Sequence, residues 1–136
     1  MKWQALSTGD LTAADRKFLA RLLEFMRSHR GAATAVTGPE IARYFGFTND
    51  RIIRDAFVVL TAQGYLIASS VHQPTGFYLV ETPEEAEIYS ATLKSRAVKT
   101  LKRLRDFNRA AGRRFGPARQ EPLFTLEPAI KELEKR

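Results

Sequence analysis

Thr37-Gly38-Pro39-Glu40-Ile41-Ala42-Arg43-Tyr44-Phe45-Gly46-Phe47-Thr48 is the stretch on which the reading of this chain turns. Thr37 and Glu40 stand three apart with Pro39 between them, the pattern of a capping box with proline in the first turn, so a helix should open here. It carries Ile41, Ala42, Tyr44 and Phe45 and should stop at Gly46, because glycine accepts the left-handed conformation that ends a helix. Phe47 then fills a short turn. Thr48 is expected to cap a second helix from about Asn49 to Gln63, closing at Gly64.

Upstream, Thr12 with Asp15 three residues on opens another helix, in which Phe18, Leu19, Leu22, Leu23, Phe25 and Met26 form one apolar stripe. Gly31 is its expected stop, and Ala33-Thr34-Ala35-Val36 has room for a stub of strand only. Downstream, Tyr65–Ser70 and Phe77–Val80 have strand composition. The turn residues Val71-His72-Gln73-Pro74-Thr75-Gly76 between them predict a β-hairpin. Thr82-Pro83-Glu84-Glu85 repeats the capping pattern and opens a long helix expected to reach about Ala111, before Gly112. Ala86, Ser90, Leu93, Ala97, Thr100 or Leu101, Leu104, Asn108 and Ala111 mark a thin apolar seam at roughly heptad spacing along it. Arg113 to Gln120 reads as a flexible linker, and Pro128 to Arg136 as one or two helical turns. The organisation expected is therefore an arm over 1–10, a domain over 11–82, a long basic helix over 83–112 and a tail over 113–136. The fold class is mainly α with a small β-hairpin.

Two helices joined by a short glycine-containing turn form the helix-turn-helix arrangement. The order helix, strand stub, helix, turn, helix, hairpin, long helix resembles the winged helix-turn-helix superfamily over about residues 12–82. The likeness rests on Thr37–Gly46, on Ile53-Arg54-Asp55-Ala56-Phe57-Val58-Val59-Leu60 and on Gly64-Tyr65-Leu66-Ile67. A small basic protein of this layout is similar to phage-encoded regulators and replication accessory proteins.

The resemblance implies that Thr48, Asn49, Asp50, Arg51, Arg54 and Asp55 face a DNA groove. Arg51 and Arg54 would read guanine and Asn49 adenine, since those side chains match the paired hydrogen-bonding edges of these bases. Thr48 at the helix start would meet a phosphate, and Arg43 from the preceding helix, with His72 and Thr75 from the wing tip, would add contacts. This chain departs from the pattern in three ways. Asp50 and Asp55 repel phosphate, the hairpin has no Lys or Arg, and Val58 and Val59 stand where such helices usually carry charge, which directs part of that surface toward protein.

The 136 residues suit one core plus an extension, and the composition is ordinary for a globular chain. The net charge of +7 favours a polyanionic partner, either nucleic acid or an anionic membrane surface, and basicity alone does not choose between them. Residues 38–90 carry three bases against seven acids, and residues 91–136 carry thirteen against five. Between Lys94 and Arg119, the bases Lys94, Arg96, Lys99, Lys102, Arg103, Arg105, Arg109, Arg113, Arg114 and Arg119 stand against a single acid, Asp106. Such a run is either a solvated helix face or a phosphate-facing one. The scarcity of acids for pairing four residues along leaves room for the second, with Lys94, Lys99, Lys102 and Arg103 as DNA contacts. The apolar seam would pack either on the parent domain or on a second copy, and the helix's length favours a homodimer.

Gln120-Glu121-Pro122-Leu123-Phe124 fits the Q-x-x-L-F pattern of the peptide that binds the bacterial sliding clamp, in which Leu and Phe fill an apolar pocket beside the Gln contact. Docking of Leu123 and Phe124 onto the chain's own domain is the other use of the same residues. This motif and the exposed valines support an alternative function, a protein-interaction module on a replication or transcription machine.

Other chemistry has no visible basis. There is no cysteine, which removes thiolate metal sites and disulfides and suits a reducing cytoplasm. His29 and His72 have no ligand spacing, Ser69, Ser70 and His72 have no orienting acid, and no glycine-rich phosphate loop occurs. No segment has the length and apolarity of a signal peptide or membrane span. The expectation is a non-enzymatic, cytoplasmic, double-stranded DNA-binding protein without cofactor or metal, acting in transcription regulation or replication.

Overall fold

The computed structural model describes residues 11–116 and 123–135. It is mainly helical, with one two-stranded antiparallel hairpin and one long helix. The helices are α1 (Ala13–Met26), α2 (Gly38–Phe45), α3 (Arg51–Ala62), α4 (Pro83–Phe115) and α5 (Leu123–Lys135), and the hairpin is β1 (Ile67–Ser70) with β2 (Gly76–Leu79). The described packing forms two compact units, one ending at Tyr89 and the other beginning at Ser90.

Local chemistry sets the ends of α1 to α3. At α1 the Thr12 hydroxyl accepts from the Asp15 N–H and the Asp15 carboxylate accepts from the Thr12 N–H, both at 3.1 Å, a complete reciprocal cap. The helix finishes at Met26, one turn earlier than Gly31 suggested, as the Arg27 N–H bonds Glu24 O and the His29 N–H bonds Met26 O. At α2 only half of the expected box forms. Thr37 accepts from the Glu40 N–H at 3.2 Å, but its hydroxyl donates to the Glu40 carboxylate, which makes no bond back to the chain before the helix. Gly46, at φ 82, closes α2 in the left-handed region.

The strand stub is reduced to a single residue. Ala32–Thr34 winds into a 3-10 turn, and only Val36 pairs, exchanging bonds of 2.9 and 2.7 Å with Phe77. Two further bonds, Gly31 N–H to Leu79 O and Leu79 N–H to His29 O, fasten the same edge of β2. β2 therefore lies between β1, in register Ile67↔Leu79 to Ser70↔Gly76, and the 29–36 segment. Gly76 permits this: at φ 128 it brings its backbone so close to Val36 that a Cβ would overlap the Val36 carbonyl and press on the Thr37 nitrogen.

The core of the first unit gathers Phe18, Leu19, Leu22 and Met26 of α1, Ile41 and Ala42 of α2, Ile53, Ala56, Phe57, Val59 and Leu60 of α3, and Ile67 of β1. Each large aliphatic side chain among them contributes roughly 1.5–3 kcal/mol by leaving water. Phe18 meets the edges of Phe45 and Phe47 at 5.5 and 5.6 Å, which ties the α2–α3 turn to α1.

The second unit departs most from expectation. α4 runs 33 residues, through Gly112 to Phe115, so Arg113 and Arg114 are helical rather than part of a linker. α5 spans 13 residues and starts before Pro128. Glu127 of α5 accepts from Arg105 at 3.0 Å and Arg109 at 3.4 Å, and Glu134 from Lys102 at 3.0 Å. α5 also buries Leu126 and Ile130, outside the core of the first unit. No residue of α4 itself is buried. No helix among the described residues is long and apolar enough to cross a membrane.

Candidate nucleic-acid interface

α3 is held by its inner side and open on its outer one. Ile53, Ala56, Phe57, Val59 and Leu60 are buried, whereas Arg51, Arg54, Val58 and Thr61 form an exposed stripe at helical spacing. Arg51 and Arg54 thus share one outward face, as the sequence led one to expect. Val59 does not share it. It is fully buried, so of the two valines only Val58, 55% exposed, belongs to the surface.

The start of α3 corrects a second expectation. Thr48 is exposed and does not cap α3, because the helix begins at Arg51 with Asp50 in the cap position. The free N–H of Arg51 is satisfied by the side-chain oxygen of Asn49 at 3.0 Å, which leaves the Asn49 amide nitrogen facing solvent. Asp50 has different work. A single carboxylate oxygen accepts from Nε of Arg54 at 3.1 Å and lies 3.0 Å from its terminal nitrogen. The Asp50 side chain also lies over Gly38, where a Cβ would stand 3.0 Å from its Cβ and Cγ and closer still to one carboxylate oxygen. With Asp55 half-buried one turn on, the two arginines of this face are balanced by two acids.

The other proposed contacts lie on separate elements. Arg43 is exposed near the end of α2. His72 is exposed in the hairpin turn, where its N–H bonds the Ser70 hydroxyl, and Thr75 is half-buried. Near Arg43, Tyr44 is exposed and packs on Phe25 at 4.6 Å, while Arg21 sits 5.6 Å from the Phe45 ring centre. The apolar pattern of α1 and α2 gave no sign that these rings would stand partly outside the core.

Along α4 the basic run divides. Lys102, Arg105 and Arg109 are paired with α5, and Asp106 and Glu127 together hold the Arg105 guanidinium protonated more firmly than usual. The acids absent from the run itself are thus supplied by α5, which removes Lys102 from the free phosphate contacts. Lys94, Arg96, Lys99, Arg103, Arg113 and Arg114 carry no ion pair among the described residues. Of these, Arg96, Lys99 and Arg103 are exposed on one side of the helix, and Lys94 is half-buried.

The tail motif is only partly within view. Gln120 lies outside the described residues, and Leu123 and Phe124 open α5 instead of lying in an irregular tail. No group of His, Asp and Glu capable of holding a metal occurs among the described residues. Comparison of the chain with protein-family models, with curated proteins and with solved structures found no match.

Proposed function

We propose that this chain is a double-stranded DNA-binding protein, a regulator or replication-origin binder, built on a winged helix-turn-helix. α2, the 46–50 turn and α3 form the helix-turn-helix, and the β1–β2 hairpin is the wing. One observation carries the reading: Arg51 and Arg54 stand on the exposed stripe of a helix whose opposite side is locked in the core. A rigid mount of this kind is what base readout requires, because a bidentate arginine–guanine contact tolerates little displacement. Arg51 reads directly. Arg54 reads once it leaves Asp50, whose carboxylate is 17% exposed and gives up its partner in the exchange. The amide nitrogen of Asn49 remains available as a donor.

The balanced charge of this face supplies little attraction for phosphate. Arg96, Lys99 and Arg103 of α4 supply it instead, with no sequence preference. Affinity and specificity therefore reside on different helices. No catalytic step is assigned to the chain.

Selection of bound fragments from a random duplex pool, followed by titration of the selected site and an unrelated duplex, tests the proposal. Arg51→Ala should weaken the selected site by about 1–3 kcal/mol and leave the unrelated duplex unchanged. Replacing Arg96, Lys99 and Arg103 together by Ala should weaken both and flatten the salt dependence by about 0.9 in log–log slope for each phosphate no longer neutralised. Failure of the intact protein to retard any duplex at low salt would end this reading.

The exposure of Val58, Tyr65 and Leu66, at 55, 42 and 61%, favours a second reading, a protein-interaction module. It requires a complex that survives nuclease treatment and is abolished by Val58→Asp with Leu66→Asp.

A further inference from the structure

α4 carries two stripes at alternating three- and four-residue spacing, and only one of them is covered among the described residues. Val98, Leu101, Arg105, Asn108 and Gly112, spaced three and four apart, are half-buried on the side where Arg105 meets α5. A second stripe, Ser90, Leu93, Ala97, Thr100, Leu104 and Phe107, repeats at the same strict alternation about a quarter-turn round the helix. Leu93 is 47% exposed, Leu104 39% and Phe107 67%. Alternation of three and four is the spacing that keeps a stripe facing another helix along its length, and here the chain's own fifth helix serves the neighbouring stripe.

We infer that this second stripe is the interface between two copies of the chain, with α4 running antiparallel to α4 of the other copy. Steric fit argues for that direction. Antiparallel pairing centred between Val98 and Lys99 sets Phe107 against Ser90, Leu104 against Leu93 and Ala97 against Thr100, so the bulkiest side chain, Phe107, meets a small one and no ring faces its own copy. Parallel pairing in register sets Phe107 against Phe107 and Ala97 against Ala97, leaving bulges beside gaps.

Charge argues the same way. The first half of α4, residues 83–98, carries three acids and two bases, and the second half, 99–115, carries seven bases and one acid. Lys102, Arg105 and Arg109 are already paired with α5, but the remaining bases Lys99, Arg103, Arg113 and Arg114 would face their own copies in parallel pairing, whereas antiparallel pairing carries Arg113 toward Glu84, beyond the apolar stretch. The cost is Arg96 beside Arg103 of the other copy, a contact made twice by the two-fold symmetry, each exposed and worth under about 1 kcal/mol. The matched stretch, residues 90–107, is about 26 Å of helix.

The test needs no DNA, so its failure is distinct from failure of the DNA-binding reading. Light scattering on the full chain should give twice the monomer mass, and Leu104→Glu should give the monomer mass with its far-ultraviolet dichroism unchanged. A monomeric wild type, or an unaltered dimer in Leu104→Glu, overturns the inference. The absence of native cysteine makes direction readable. Leu93→Cys mixed with Leu104→Cys should form a disulfide-linked dimer on oxidation, while neither variant alone should. Self-linking of each variant alone would establish the parallel arrangement and overturn the antiparallel one.

Discussion

α3 and α4 are both arginine-bearing helices, yet they meet solvent in opposite ways. α3 gives five of its twelve residues to the core and presents two arginines matched by two acids, one of them in direct contact with Arg54. α4 gives no residue to full burial across 33 and presents several bases that have no ion pair among the described residues beside exposed Leu and Phe. A short helix packed along its length can hold a side chain in one place but has little room for charge. A long helix in water can collect charge and apolar surface but positions nothing until something docks on it. In this protein, rigid positioning and strong attraction are assigned to different elements.

That contrast can be broken most decisively at the core. Ile53→Ala, at a fully buried site under Arg51 and Arg54, should cost about 2–5 kcal/mol in urea unfolding. Leu93→Ala in α4 should move the same transition of a diluted, monomeric sample by less than about 1 kcal/mol. Equal losses would show that α4 is as firmly packed as α3. Gly38→Ala comes next. The new methyl group collides with Asp50, and the strain should cost about 1–3 kcal/mol, visible as a lower melting temperature. A silent Gly38→Ala would mean that Asp50 moves away without resistance.

Asp50→Asn sharpens the comparison from the side of charge. It frees Arg54 and removes one negative charge from the face, so duplex affinity should rise while stability changes by no more than about 1 kcal/mol. Weaker DNA binding in this variant would show that Asp50 orients Arg54 rather than restrains it.

The smallest effect concerns the root of α4. The Glu85 carboxylate accepts from the Ala32 N–H at 2.7 Å and the Glu81 N–H at 2.8 Å, and these bonds, with the Thr82 contact, hold its pKa below the ordinary 4.5 against the opposing effect of burial. A depressed carboxyl stabilises the fold above its unfolded value, and that contribution fades as pH falls through the lower folded value. Glu85→Gln should therefore flatten the acid limb of the stability profile below about pH 4.5 and lower stability modestly at neutral pH. An unchanged acid limb would remove Glu85 from the account.

Much of the first unit is legible in the sequence because its signals are local. Thr12 with Asp15, Thr37 with Pro39, and Gly46 act within one helical turn, so they can be read without knowing what packs where. Arg51 and Arg54 follow from the same periodicity. Val59 escapes such a reading because a stripe drawn from sequence cannot say how wide the covered side is, and α3 is covered widely enough to take it in. Thr48 escapes it because Asn49 and Asp50 compete for the same helix start and Asn49 reaches the free N–H. The second unit is harder to read. Gly112 has the look of a stop, but Arg113–Phe115 continue the helix past it, and the ion pairs of Lys102, Arg105 and Arg109 depend on residues 18 to 32 positions away. Asn108 falls into the seam expected from sequence because two stripes a quarter-turn apart merge when read at loose heptad spacing. Phe107 is the member that completes the exposed one.

Position 38 has one more meaning. Because glycine brings no side chain, the carboxylate of Asp50 occupies space that any other residue would fill, and the beginnings of α2 and α3 are drawn together around it. The seat of the Asp50 carboxylate is therefore made by missing atoms rather than by a bond to Gly38. A bulkier residue at this point would displace either the Asp50 side chain or the start of α3, and with the latter the exposed face that carries Arg51 and Arg54.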